Sequence, residues 1–446
     1  MRIETLTVKN LRLFGDDVQT VSFDRTKNVA VLLGDNGAGK TSLLYGCSVL
    51  LSQFYKHFPG CSVRSFADED IRVVSNERRA DFLHVGMRLA ETNRGWDEQI
   101  AGEQVDDDGR IVVNMFKKGN MTDNVQSSEL KHIYDYSLRI KSMIDDGAIV
   151  SLPVIAYYGT ERGQIKPVER RRNFNDVFPR WEIYKADSLE SATDFKRFFT
   201  WFERNEDLER REQLRQLKQT GSSNYSSYVL DAVRKALNSL FPDHLINPRV
   251  ETSPLRFVMD DISEPDNIVE RRLERLSDGY RITIALVADI AARLAEANPS
   301  AEVSGLDNPL EADGIVMIDE IDLHLHPKLQ RDILKRLTEI FPNIQFLVST
   351  HSPNVVIGAL DIVQVIKLNE GEIDASVDVL NYDKYDVSLL LLSDLFDLDN
   401  VRTRMFKTLE EREDMLLNKD SLTPDEEVEL KNIVREMRTY GFADGR

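Results

Sequence analysis

Cysteine is scarce in this chain, and basic side chains are outnumbered by acidic ones. The 446 residues include two cysteines, Cys47 and Cys61, and 57 basic against 76 acidic side chains, a formal net charge of -19. Two thiols argue against a disulfide scaffold or a cysteine-based zinc module and favour a reducing compartment. The acidic balance argues against coating of nucleic acid through bulk charge, although local basic patches leave direct DNA contact open.

Long apolar runs are also missing. No uninterrupted stretch approaches the ~18 residues of a membrane-spanning helix, and the N-terminus carries charges where a signal peptide has an apolar core. We therefore expect a cytoplasmic protein with no membrane partner. A hydrophobic content of 41% and a charged content of 30% predict a folded chain. The length of 446 residues suggests about two to four structural units.

A glycine-rich segment, Gly34–Thr41, follows an apolar strand pattern and precedes a helix pattern. It matches G-x-x-x-x-G-K-[ST], in which backbone N–H groups and a helix N-terminus surround phosphates. Lys40 is predicted to reach the β- and γ-phosphates, and the Thr41 hydroxyl is predicted to ligate Mg²⁺. The predicted nucleotide-binding residues of this loop are Asn36, Gly37, Ala38, Gly39, Lys40, Thr41 and Ser42.

A later strand pattern, Ile315–Ile318, ends in two carboxylates. Asp319 is predicted to hold the magnesium ion, directly or through water, and Glu320 to polarise the attacking water. Apolar strands that end in an acidic residue are common, so the pattern gains its weight from following a phosphate loop. ATP and Mg²⁺ are the expected cofactors.

The segment Leu276–Arg281 resembles the signature motif of ATP-binding-cassette (ABC) ATPases. In that class the motif places a serine hydroxyl and a glycine N–H on the γ-phosphate held by a second subunit. The resemblance implies this role for Ser277 and Gly279, while Tyr280 and Arg281 replace the transporter-type ending. It also implies a homodimer or a higher homo-oligomer with composite ATP sites.

The segment Val348–Pro353 is similar to the switch-histidine segment of the same ATPases. The similarity implies that His351 contacts the γ-phosphate and senses hydrolysis. Asp322–His326 offers two histidines at alternate positions, a spacing that a metal site could use. It lies where this ATPase class has its subunit-contact loop, and we favour that interpretation over a metal site.

The order of these motifs, with the opening Val8–Phe14, resembles the RecF, SMC and OLD-type ATPases. Asp319–Pro327 and Ala156–Arg162 are most similar to the ATPase subunit of Septu and retron-type bacterial anti-phage defence systems. The resemblance implies an α/β fold with a P-loop ABC-type head, and a separately encoded HNH nuclease as partner. The expected function is an ATP-hydrolysing regulatory subunit that controls this nuclease. A RecF-like DNA-repair ATPase that clamps DNA on ATP binding is the alternative.

We expect four segments along the chain. They are an N-terminal ATPase lobe at 1–165, a helical insertion lobe at 166–265, a C-terminal ATPase lobe at 266–380 and a helical tail at 381–446. Alternating residues predict an antiparallel β layer over 80–115, with turns at Asn-Arg-Gly and Asp-Asp-Gly. Thr423–Glu426 has the pattern of a capping box. The tail is predicted to form a helical hairpin that packs on the ATPase core or serves as a partner surface.

Some features of the related families are missing. No heptad array lies between Lys40 and Ser277, which excludes SMC-like coiled-coil arms. OLD-type nucleases carry a Toprim domain after the ATPase, and the chain beyond Glu370 is short for one. We interpret Glu370–Asp374 as a hairpin turn and place Asp397–Asp399 in a helical context. We therefore expect no intrinsic nuclease.

Three further polar segments have less specific patterns. Gln164 is a candidate for the glutamine that links the two lobes in this class. Arg170–Arg172 and Arg271–Arg272 are interpreted as solvated surface charge, with contact to a phosphate backbone as the alternative.

Overall fold

The computed structural model describes residues 1–377 except 76–77, 92–109, 120–126, 164–178, 190–194, 253–254 and 265–266; beyond 377 it describes 382, 385, 387–393, 395–396, 404–417, 419 and 423–439. The chain divides into two compact units, Met1–Lys384 and Tyr385–Arg446. Within the described ranges, no helix has the length and apolar character needed to cross a membrane.

The described residues form both strands and helices. The strands are β1 (Arg2–Lys9), β2 (Gln19–Ser22), β3 (Val29–Leu33), β4 (Val73–Ser75), β5 (Arg78–Arg79), β6 (Phe82–Ala90), β7 (Arg110–Lys118), β8 (Val154–Tyr158), β9 (Leu245–Thr252), β10 (Leu255–Asp261), β11 (Val269–Arg272), β12 (Gly314–Ile318), β13 (Ile344–Thr350), β14 (Val363–Asn369) and β15 (Glu372–Asp374). The helices are α1 (Lys40–Ser52), α2 (Lys131–Asp145), α3 (Phe195–Thr220), α4 (Tyr228–Leu240), α5 (Asp278–Ala297), α6 (Ala301–Ser304), α7 (Pro327–Ile340), α8 (Pro353–Ile357), α9 (Val387–Leu391), α10 (Arg404–Leu417) and α11 (Pro424–Thr439).

The central sheet has the strand order β15-β14-β3-β13-β12-β8. Its strands are parallel except for the edge strand β15, which pairs antiparallel with β14. Every residue of β3, β8, β12 and β13 is buried, as expected for strands covered on both faces. The carboxyl ends of β3, β13 and β12 therefore lie side by side, where ligands bind in open α/β sheets.

A second sheet, of order β2-β1-β6-β7, forms an antiparallel layer. The antiparallel pairing of β6 with β7 confirms the β layer that alternating residues predicted over 80–115. The two turns predicted within that range lie outside the described residues.

Glutamine side chains join this layer to the central sheet, and Gln345 and Gln364 are two of them. Gln345 on β13 accepts a hydrogen bond from the Ile3 N–H at 2.7 Å and donates to the Ile3 carbonyl at 3.0 Å. Gln364 on β14 accepts from the Asp24 N–H and donates to the Ser22 carbonyl, both at 2.9 Å. A carboxamide presents a donor and an acceptor side by side. Each side chain therefore makes the pair of hydrogen bonds that the backbone of a neighbouring strand would otherwise make.

After β8, the first unit continues with helices α3 and α4 and then a small sheet. Strands β11, β10 and β9 form a three-stranded antiparallel sheet, so the range expected as a helical lobe also contains β structure. Helix α4 begins after its N-cap residue Ser227, and α7 begins at Pro327 after its N-cap residue His326. Helix α2 was not predicted, and its first residue follows Leu130, which provides no side-chain cap.

The second unit contains α9, α10 and α11. Leu416 of α10 and Ile433 of α11 are buried against each other, which confirms the predicted helical hairpin. The Glu426 carboxylate accepts from the Thr423 N–H at 3.0 Å, and the Thr423 hydroxyl accepts from the Glu426 N–H at 3.4 Å. These reciprocal bonds are the predicted capping box.

Candidate nucleotide-binding site

The glycines of the phosphate loop have backbone angles that other residues rarely adopt. Gly34, Gly37 and Gly39 have φ angles of 151°, 83° and 112°. A Cβ atom on Gly34 would lie 2.2 Å from the Leu368 carbonyl oxygen, and one on Gly39 would lie 3.0 Å from a Phe14 ring carbon. The loop can therefore close against β14 and Phe14 only with glycine at these two positions.

Lys40 begins α1 and lies inside the loop that precedes it. Its side chain is 6% exposed, and its ammonium donates to the carbonyls of Gly34 at 2.8 Å and Asp35 at 2.9 Å. Burial lowers the pKa of Lys40, whereas the carboxylates of Asp319 and Glu320 act in the opposite direction. The Lys40 ammonium thus lies inside the loop, bonded to the loop's own carbonyl oxygens.

The Thr41 hydroxyl and the Asp319 carboxylate meet although they are far apart in sequence. Thr41 Oγ1 donates to Asp319 Oδ2 at 2.7 Å, and the Ser349 hydroxyl donates to the other carboxylate oxygen. The Asp319 N–H donates to the Tyr158 carbonyl at 2.8 Å, which holds the residue at the end of β12. Hydroxyl and carboxylate oxygens are the ligands that Mg²⁺ prefers, so these two residues fit that ion.

The surroundings of this pair suit a cation that takes few protein ligands. In the described part of the chain, no group of three or more His, Cys, Asp or Glu side chains is arranged to hold a metal ion. Mg²⁺ commonly keeps several waters and takes substrate phosphates as ligands, with one or two carboxylates from the protein. The fit therefore rests on Thr41 and Asp319 together with a bound nucleotide.

Glu320 turns the chain sharply after β12. Its φ angle is 49°, in the left-handed region that non-glycine residues seldom occupy. Its backbone N–H donates to Ser349 Oγ at 2.7 Å, so the Ser349 hydroxyl contacts both predicted carboxylate residues. Sequence reasoning included Ser349 in the switch segment but assigned it no role.

These residues surround one open cleft of about 210 Å³. Its lining residues are Leu13, Asn36, Gly37, Gly39, Lys40, Thr41, Ser42, Asp319, Glu320 and His351. All of them except Leu13 belong to the predicted site. Leu13 belongs to the opening segment Val8–Phe14, which was noted only as a family resemblance.

The signature residues lie elsewhere in the same chain. Ser277 is the N-cap residue of α5 and is exposed, whereas Gly279 is buried in the first turn. A Cβ atom on Gly279 would lie 2.8 Å from the His324 carbonyl oxygen. Neither Ser277 nor Gly279 lines the cleft.

The structure also bears on the residues with competing interpretations. His326 Nδ1 accepts from the Lys328 N–H at 3.3 Å and caps α7, while His324 is exposed. This geometry favours a loop contact over a metal site. Arg271 pairs with Asp261 at 3.0 Å, which favours surface charge. Gln164, Arg170–Arg172 and Asp397–Asp399 lie outside the described residues.

Two family models match this sequence. Residues 5–224 match an AAA domain family. Residues 169–357 match an AAA domain family described for the AbiEii toxin of type IV toxin–antitoxin systems. The two matches together span the phosphate loop, both carboxylates, the signature segment and the switch histidine.

Several curated proteins are similar to this chain. Retron Vc95 probable ATPase of Vibrio cholerae serotype O1 biovar El Tor is 29% identical over 378 residues, which is 74% of this chain and 67% of that protein. Retron Ec83 probable ATPase of Escherichia coli is 28% identical over 414 residues, 80% of this chain and 69% of that protein. Septu protein PtuA of Bacillus mycoides (strain KBAB4) is 31% identical over 210 residues, 47% of this chain and 27% of that protein. The chain is therefore related to the retron probable ATPases and to the Septu protein PtuA, and two AAA domain family models match it.

Proposed function

We propose that the chain binds ATP with Mg²⁺ in the described cleft and hydrolyses it there. The observation that carries this proposal is the 2.7 Å hydrogen bond between Thr41 and Asp319. It joins the phosphate-loop helix to the end of β12 at the point where the β- and γ-phosphates of a loop-bound nucleotide would need a cation. When bound there, Mg²⁺ would offset the phosphate charge.

Glu320 is proposed as the general base. Glu320 lines the same cleft as Lys40 and His351. In the reaction it accepts a proton from the attacking water, whose oxygen bonds to the γ-phosphorus as the bond to the ADP oxygen breaks. His351 is proposed to contact the γ-phosphate from the end of β13, and Lys40 is proposed to hold the β- and γ-phosphates.

Ser277 and Gly279 are proposed to complete the site of a second copy of the chain. Both lie at the N-terminus of α5, a position that favours anions, yet neither lines the cleft of its own chain. In a two-fold dimer the contact that one copy makes with the other is repeated in the reverse direction by symmetry. Each ATP would then lie between the phosphate loop of one copy and α5 of the other.

The biological role is proposed to be regulation of a partner HNH nuclease in anti-phage defence through ATP-dependent dimer engagement. The similarity to retron ATPases over 74% of this chain supports a defence role. The similarity to PtuA supports the Septu-like partner, over 47% of this chain. Native mass spectrometry of the complex purified from the operon tests the partner. Isolation without a nuclease, but with salt-sensitive ATP-dependent binding of duplex DNA, would favour the DNA-clamp alternative.

Glu320→Gln tests the ATPase mechanism. The amide cannot accept a proton from water, so we expect ATP hydrolysis to fall by roughly 10²- to 10⁴-fold while Mg–ATP still binds. Light scattering should show the ATP-bound dimer accumulating. Glu339→Gln is the matched control, because Glu339 is exposed on α7 and should leave turnover unchanged. Wild-type turnover in Glu320→Gln would contradict the assignment.

A further inference from the structure

Two loops at the carboxyl end of the central sheet are joined by polar contacts. We call residues 321–326, which follow the two carboxylates, the contact loop. We call residues 350–354, which run from the last residue of β13 into the first turn of α8, the switch loop. The Ile321 N–H donates to the Ser349 carbonyl at 2.9 Å. The Thr350 hydroxyl donates to the Asp322 carboxylate. The contact loop and the switch loop are therefore connected where each leaves its strand.

A third connection comes from Gln330 on α7. Its side-chain oxygen accepts from the Ser352 hydroxyl at 2.8 Å and from the Asn354 amide at 3.4 Å, both on the switch loop. Its side-chain nitrogen donates to the Leu325 carbonyl of the contact loop at 3.0 Å. One carboxamide thus holds both loops at once, because it offers an acceptor and a donor.

The contact loop in turn touches the start of α5. A Cβ atom on Gly279 would lie 2.8 Å from the His324 carbonyl oxygen and 3.6 Å from the Leu325 Cα. Glycine at this position lets the loop and the helix approach closely. A displacement of the contact loop would therefore press on the helical turn that follows Ser277.

These contacts form a continuous path within one chain. It begins at His351 in the switch loop, passes through Ser352 to Gln330, and reaches Leu325 in the contact loop. From there the close approach at Gly279 leads to α5. Both ends of the path lie at residues proposed to contact a γ-phosphate, but His351 faces the cleft of its own chain and Ser277 does not.

We propose that Gln330 is a positioning residue that couples the switch loop to the contact loop and, through it, to the N-terminal turn of α5. Loss of the γ-phosphate beside His351 would then change how Ser277 is presented to the ATP site of the second copy. The inference rests on the proposed function, since it needs ATP hydrolysis and composite sites. Gln330 itself lies outside the residues that line the cleft.

Gln330→Met and Gln330→Glu test this role in the full chain. Methionine has a similar length but removes both the donor and the acceptor, and we expect kcat to fall about ten-fold with an ATP dissociation constant within about two-fold of wild type. Glutamate retains the acceptor for Ser352 and loses the donor to Leu325. If both loops must be held together, Gln330→Glu should lose as much activity as Gln330→Met.

A double-mutant cycle with His351→Ala separates coupling from general damage. Since Gln330 acts through the loop that carries His351, adding Gln330→Met to His351→Ala should slow single-turnover hydrolysis by less than about two-fold further. Thr338→Val is the matched control on the same helix. Its hydroxyl contacts the Leu334 and Lys335 carbonyls of α7 itself, and kcat and melting temperature should stay at their wild-type values.

Two results would overturn the coupling role while leaving the ATPase proposal intact. One is a wild-type kcat in Gln330→Glu. The other is a full ten-fold further loss of single-turnover hydrolysis when Gln330→Met is added to His351→Ala. Both results count only where Glu320→Gln is inactive. If Glu320→Gln itself retains wild-type turnover, the proposed function fails instead. The two failures are therefore distinguishable within one set of proteins.

Discussion

Replacing Arg293 by methionine should destabilise the first unit by about 3 kcal/mol, because it breaks a buried ion pair. Arg293 Nε donates to Asp289 Oδ2 at 2.8 Å, and the two side chains are 4% and 2% exposed. The Tyr158 hydroxyl donates to the same oxygen at 2.7 Å. Since the Tyr158 carbonyl also holds Asp319, this network connects α5 to the strand edge that carries the proposed magnesium ligand.

The magnitude follows from what remains around Asp289. Removing one partner of a buried pair costs about 3–5 kcal/mol. The low end applies because Tyr158 stays in place and Arg197 Nη1 lies 3.9 Å from Asp289 Oδ1. With an unfolding entropy of ~2.1 cal/mol/K per residue, the Met1–Lys384 unit should lose about 4 °C in melting temperature.

The stability lost in Arg293→Met should also depend on pH. Burial pushes the pKa of Asp289 upward, but attraction by Arg293 and Arg197 outweighs it and leaves this pKa below its usual value. A carboxylate with a depressed pKa contributes stability above its unfolded pKa, and that stability is lost as the pH falls through its folded pKa. The difference between wild type and Arg293→Met should therefore shrink in acid.

Urea and thermal denaturation followed by circular dichroism measure these effects. Arg211→Met is the control, because Arg211 is 72% exposed in its pair with Asp207 and should change stability immeasurably. Replacing both partners, Asp289→Leu with Arg293→Met, should recover most of the loss. Wild-type stability in Arg293→Met, or a double variant no more stable than the single one, would refute the reasoning.

Three other predictions concern the ATP site and the second unit. Gly34→Ala should abolish ATP binding measured by calorimetry, because its Cβ would lie 2.2 Å from a carbonyl oxygen. Lys40→Ala and Ser277→Arg should each be inactive, but an equal mixture should regain about a quarter of wild-type turnover, since half the dimers are mixed and each holds one intact site. A mixture of Lys40→Ala with Glu320→Gln should stay inactive. Leu416→Ala should destabilise the α10–α11 hairpin by about 2–4 kcal/mol, seen as faster hydrogen exchange in α11, because Leu416 is fully buried there.

The elements that carry the site were predictable because their signals are local. The glycine spacing of Gly34–Thr41 determines a loop that only glycine can form, and it stands between a five-residue apolar strand and a helix. Ile315–Ile318 predicted a buried strand, and the Glu370–Gly371 turn between β14 and β15 confirms the predicted hairpin. Helix α2 was missed because its start has no capping residue.

The relations between these elements were decided by the tertiary structure. Strand β13 lies between β3 and β12 in the central sheet, and no local pattern reports strand order. This order sets Ser349 beside both Asp319 and Glu320, although Ser349 belongs to a different motif from the two carboxylates. The sequence identified the side chains that are proposed to carry the phosphate chemistry, because those signals lie within a few residues of each other. The partners that hold them depend on sheet order and burial, which arise from contacts between residues far apart in the chain.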